Sequence, residues 1–82
     1  MTTLIAKIET PRNGLLEFYF VSIASAEGDK YFVTTIDQDT KSHVFYMKQD
    51  SAIWRIETSK HKIVQWILDL EPVLAKLILQ KT

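Results

Sequence analysis

Residues 59–82 hold the feature that most limits what this chain can become: a helical run, interrupted by Pro72, that is apolar around far more than half of its circumference. At about 100° per residue, Ile63, Trp66, Ile67, Leu70, Val73, Leu74, Leu77 and Ile78 form one broad stripe suited to packing on a sheet. Val64, Leu68, Ala75 and Leu79 form a second set beside it, leaving only Lys62, Gln65, Asp69, Lys76 and Gln80 as a clearly polar strip. One small sheet does not cover both sets, so the second is the candidate interface for another copy of the chain. Ser59 is placed to cap the run, because its hydroxyl can accept from the free amides of a first helical turn. Pro72 allows two readings. It lacks the amide that would bond the carbonyl of Leu68 and so kinks the helix, or it sits in the donor-free first turn of a second helix capped by Asp69.

The first 58 residues follow a different period. Five runs alternate in twos and are separated by turn signals. Residues 3–9 set Leu4, Ala6 and Ile8 against Ile5, Lys7 and Glu9, and Thr10-Pro11-Arg12-Asn13-Gly14 supplies a turn. Residues 15–24 are apolar on both faces, with Leu16, Phe18 and Phe20 opposite Leu15, Tyr19, Val21 and Ile23, as an interior strand requires. Residues 30–37, 42–48 and 52–58 complete a meander whose outer strands carry the edge-guarding charges Lys7, Arg55 and Glu57. Trp54 and Trp66 are the expected anchors of the core, since large aromatics bury the most area per residue.

These patterns predict an α+β fold in a single domain, residues 1–82. An antiparallel meander of about five strands (residues 1–58) is followed by a C-terminal helix, kinked or broken near Pro72, packed on one sheet face. At 82 residues the core is thin. A hydrophobic content of 46% with two glycines and two prolines nevertheless favours regular structure over a disordered tail. Ten Lys and Arg balance ten Asp and Glu, so no net field draws nucleic acid or an anionic membrane. The chain has no cysteine, which removes disulfides, thiol nucleophiles and cysteine zinc sites. Residues 1–7 lack the pattern of a signal peptide, and residues 63–79 carry Asp69, Glu71 and Lys76, so no membrane insertion is expected and the compartment read from the sequence is cytoplasmic.

No motif names a reaction. Asp37-Gln38-Asp39-Thr40 is too poor in oxygen ligands for a calcium loop and reads as a solvated turn. His43 and His61 have no zinc-binding spacing between them, and no serine sits in a nucleophile elbow. No cofactor and no metal are therefore expected, and the chain reads as a non-enzyme. A pocket assembled between helix and sheet stays open as an alternative, for a small ligand or an activity whose residues converge only in three dimensions.

Tyr19, Tyr31, Val33, Val44 and Tyr46 are assigned to the sheet face opposite the helix. Aromatic sheet faces stack unpaired bases, with neighbouring Lys or Arg on phosphates, which makes single-stranded nucleic acid the alternative partner. Lys30-Tyr31-Phe32-Val33 is similar to the aromatic strand motif of RNA-recognition domains but lacks its glycine. The strand-then-helix order resembles more closely a dimeric transcriptional-coactivator type of single-strand binder, from which this chain departs in its balanced charge and fifth strand.

In the C-terminal half, Phe45-Tyr46-Met47-Lys48, Trp54-Arg55-Ile56 and Trp66-Ile67-Leu68-Asp69-Leu70-Glu71-Pro72-Val73-Leu74 with Ile78 resemble a pattern in small bacterial proteins of unassigned activity. The resemblance implies an antiparallel sheet ending in a helix and carries over no catalytic or binding residue. The function read from the sequence is a small non-catalytic interaction module, a homodimer that uses the second helix seam or the uncovered sheet face.

Overall fold

A computed structural model of the chain describes residues 3–26, 28–58 and 62–81. Its strands are β1 (Thr3–Thr10), β2 (Gly14–Ser25), β3 (Gly28–Ile36), β4 (Ser42–Asp50) and β5 (Ile53–Ile56), and its helices are α1 (Gln65–Leu68) and α2 (Glu71–Lys81). Each strand pairs antiparallel with the next, in the spatial order β1-β2-β3-β4-β5. The α+β meander with C-terminal helices is thus the fold that the alternation predicts, and β2 is an interior strand as its two apolar faces require.

The turns follow from local chemistry. Thr10 closes the first hairpin: its buried hydroxyl donates to the carbonyl of Gly14 at 2.7 Å and accepts from the Asn13 amide at 3.0 Å. Gly14 stands at φ +66°, where a side chain is strained, and a Cβ there would also meet Gln38 Nε2 at 3.1 Å. Asp50 pairs with Ile53 across a two-residue turn in which Ser51 (φ 52°) and Ala52 (φ 71°) both adopt the left-handed conformation. Two-residue hairpins need that geometry, and Asn-Gly fills it more cheaply than Ser-Ala.

The core lies between one sheet face and the helices. Phe18 and Phe20 of β2, Val33 of β3, and Phe45 and Met47 of β4 are fully buried against Ile67, Leu74 and Ile78. Tyr31, Trp54 and Phe20 meet edge to face, with Tyr31 and Trp54 ring centroids 5.2 Å apart. Trp54 is buried as expected, whereas Trp66 is only half-buried and packs at the rim of the core. The buried hydroxyl of Thr35 donates to the carbonyl of Glu17 at 2.8 Å, so a polar side chain inside the core keeps its bond.

The helical run departs from its prediction in three ways. It opens at Gln65 with Val64 as the cap, six residues after Ser59, which lies outside the described residues together with His61. Its break at Asp69 and Leu70 is itself the second of the two readings of Pro72, which occupies the first turn of a new helix where no partner for its nitrogen is needed. The Leu74 amide donates to the carbonyl of Leu70 at 2.9 Å, which makes Leu70 rather than Asp69 the cap of α2. The break also resets the phase, and Val73, assigned to the core stripe, is exposed.

Glu71, at the start of α2, accepts from the amide of Ile56 at 2.9 Å through its Oε2. The bond satisfies an outward amide of the edge strand β5 and ties α2 to the sheet. Bonds from backbone amides to ionised acceptors are worth roughly 1.5–3 kcal/mol, so Glu71→Ala is expected to lower the melting midpoint by about 8–15 °C. Ala52→Gly, relieving the left-handed alanine, is expected to raise it by roughly 3–6 °C. Differential scanning calorimetry of both variants checks the pair, and a neutral Glu71→Ala would show that the edge amide has a substitute acceptor.

Candidate interaction surface and the histidine cluster

The sheet has a second face, and its residues come from the other half of each alternation. Ile5, Tyr19, Thr34 and Val44 stand in one cross-strand row, and Thr3, Val21, Phe32 and Tyr46 stand in the next. Leu15 and Ile36 lie towards one end, Ile23 and Ile53 towards the other. Ile5, Leu15, Ile36, Val44 and Ile53 are each about half exposed or more, at 58, 59, 62, 48 and 52%. Tyr19 and Ile23 are exposed at 40 and 36%. Phe32 and Tyr46 are half-buried and lean on one another, with ring centroids 5.1 Å apart.

Three of the five residues assigned to this face are on it: Tyr19, Val44 and Tyr46. Tyr31 and Val33 are not, being 5 and 0% exposed in the core. The physical reason is register. β3 alternates two comparably apolar sets, and only its pairing with β2, which sets Val33 beside Phe20, decides which set faces the helices. Phe32 takes the place given to Tyr31, and the signal that would have found it is pairing, which no local pattern contains.

The second helix seam comes apart. Leu68 and Ala75 are half-buried against the core, whereas Val64 and Leu79 are exposed. Val64 precedes α1 and Leu79 lies near the end of α2, so the four do not form one continuous stripe.

The tertiary fold also gathers a polar cluster that spacing did not indicate. Asp37, at the β3–β4 turn, accepts from the amides of Asp39 (2.8 Å) and Lys41 (3.0 Å) through Oδ1. Its Oδ2 lies 2.7 Å from His43 Nε2. An ionised carboxylate only accepts, so the imidazole proton sits on Nε2 and His43 donates. The His43 ring meets Trp66 edge-on at 5.3 Å, which joins the turn to α1. A shallow groove of about 280 Å³ runs beside this cluster, lined by Ser42, His43, Val44, Phe45, Lys62, Ile63, Val64 and Ile67.

Every oxygen of Asp37 is engaged by its own turn or by His43, so the cluster reads as a structural latch. No group of three or more metal-ligating side chains occurs among the described residues. Nothing in the described residues points to catalysis. No helix among them is long and apolar enough to cross a membrane. No protein-family model, curated protein or solved structure matches the chain.

The bond from His43, ahead of those from the Lys41 and Asp39 amides, holds the Asp37 carboxyl below its ordinary value. A carboxyl depressed in the folded state contributes stability that is fully present above its unfolded pKa, about 3.9, and is lost as pH falls through the folded value. Asp37→Asn is therefore expected to melt below wild type at neutral pH, with the two curves converging as pH falls through the depressed folded-state value. Thermal melts across a pH series test this, and a constant difference down to the lowest pH would assign the loss to geometry instead of charge.

Proposed function

We propose that the chain is a small non-catalytic, cytoplasmic interaction module that works as a homodimer, its two sheets stacked through the outer face. The observation that carries this reading is the area of that face. Taking roughly 200 Å² for a large side chain, the seven most exposed residues leave on the order of 700 Å² of apolar surface. That total is close to the about 800 Å² that each partner contributes to a standard interface. Face-to-face stacking at about 10 Å is a common way for a sheet to bury such a surface, and a two-fold axis lets one patch serve both copies. The same reading groups the chain with the small bacterial proteins that its C-terminal pattern resembles, which assigns no residue a role.

A second reading, single-stranded nucleic acid, is favoured by one observation. Phe32 and Tyr46 stand one outer-face step along their strands from Lys30 and Lys48. It is the lesser reading because Tyr31 and Val33 are inside the core and both stacked rings are half-buried. Retention of the wild type on a single-stranded oligonucleotide column at low salt, lost on Tyr46→Ala, would support it.

The dimer is tested by sedimentation at roughly 50 µM, well above a micromolar dissociation constant worth about 8 kcal/mol. Wild type is expected to sediment as a dimer, Tyr19→Glu and Val44→Glu as folded monomers, and Leu79→Glu as a dimer. A monomeric wild type, or dissociation by Leu79→Glu alone, would remove the outer face as the interface.

A further inference from the structure

The two edges of the sheet differ in how their outward backbone groups are met. The Glu57 amide donates to the carbonyl of Tyr46, so the even-numbered residues of β4 face β5 and its odd-numbered residues face β3. Carried through the registers, this alternation turns the backbone groups of Leu16, Phe18 and Phe20 in β2 towards β1, and those of Leu4, Ala6 and Ile8 in β1 back towards β2. Thr3, Ile5, Lys7 and Glu9 therefore point their amides and carbonyls out of the sheet. At the other edge β5 is only four residues long, and Glu71 takes the outward amide of Ile56 at 2.9 Å. β1 is eight residues long, and no described residue pairs with its outer side. A long edge of this kind is a template for another strand.

The side chains along that edge say which strand fits. Lys7 and Glu9 are exposed on the outer face, and neither forms an ion pair with another described residue, although Lys7 stands across from Glu17. An incoming strand with apolar residues at those two positions leaves both charges unpaired, whereas an acid opposite Lys7 and a base opposite Glu9 satisfies them. On the inner face Leu4 and Ala6 are half-buried at the rim of the core, where apolar side chains of an added strand cover them. We infer that the outer edge of β1 is a docking site for an extended segment of a partner protein, added antiparallel. Its residues opposite Glu9, Lys7 and Ile5 are a base, an acid and a β-branched residue, with apolar residues between them. Backbone bonds supply the affinity and the alternate side chains the specificity. A second copy of β1 fits less well. It matches both charges only when the pairing is centred on Ile8, and that register sets Pro11, which has no amide to give, opposite Ile5 and ends the ladder there. A segment without that proline runs the length of β1. The site lies in the plane of the sheet, so it is open whether or not two outer faces stack.

The probe is the synthetic peptide acetyl-Lys-Val-Glu-Val-Thr-Val-Thr-amide, and the control is the same peptide with its first and third residues exchanged. Hydrogen exchange followed by NMR reads the site directly, because the amides of Leu4, Ala6 and Ile8 face β2 while those of Ile5, Lys7 and Glu9 face out. The probe is expected to slow exchange at Ile5, Lys7 and Glu9 by about tenfold or more and to bind roughly tenfold more tightly than the control. Lys7→Glu with Glu9→Lys is expected to reverse that preference. Ile5→Pro removes an outward amide but no bond to β2, and is expected to weaken probe binding by about tenfold in a chain that circular dichroism shows to be folded. The double variant, confined to exposed side chains, decides the matter where Ile5→Pro fails to fold. No binding of the probe to folded wild type, protection confined to other strands, or a preference that the double variant leaves unchanged overturns the site. Protection of the same amides without peptide, lost on dilution, overturns the partner segment and makes the occupant a second copy. Binding is expected equally for wild type and Tyr19→Glu, so a monomeric wild type overturns the outer-face dimer and leaves the edge site standing.

Discussion

The contact between the inner sheet face and the two helices carries the rest of the structure. Phe18, Phe20, Phe45 and Met47 meet Ile67, Leu74 and Ile78 in a dry layer one side chain deep from each side. In a chain this short no second layer is available, so the burial of these few side chains sets the stability. The helices reach only one face. An 11-residue α2 spans about 16 Å, whereas the strands it crosses are 4 to 12 residues long. Because side chains alternate, ordering one face against the helices leaves the other face wherever its residues fall, and here they are largely apolar.

The polar bonds around that contact join elements that hydrophobic packing alone would leave loose. Glu71 bonds an outward amide of β5 and anchors α2 at the sheet edge. Asp37 organises the β3–β4 turn and, through His43 and Trp66, holds that turn against α1. Thr35 and Thr10 place hydroxyls in the interior, each with a backbone acceptor.

Much of the fold was legible in the alternation. The strand boundaries follow from period two, Gly14 occupies its left-handed position as the turn at Asn13 and Gly14 anticipates, and Pro72 starts a helix as its missing amide allows. The candidate surface was legible in part. Tyr19, Val44 and Tyr46 lie in the sets that alternate with the buried Phe18, Phe20, Phe45 and Met47, on the face to which the sequence assigns them. Tyr31 and Val33 belong to β3, whose two sets are matched in size, so nothing local says which turns inward. The helix seam failed for a related reason: a break at Asp69 and Leu70 rotates everything after it, and Val73 exchanged places with Ala75.

Local pattern, then, was enough for the identity of the elements, their order and the existence of two apolar faces, because side-chain alternation and the missing proline amide are properties of consecutive residues. Pairing was needed for the parity of β3, the row of Lys30, Lys48 and Arg55, and the meeting of His43 with Asp37 and Trp66. Those features join residues 6 to 25 positions apart, and their relation depends on strand register and helix phase, which are set by how the core closes.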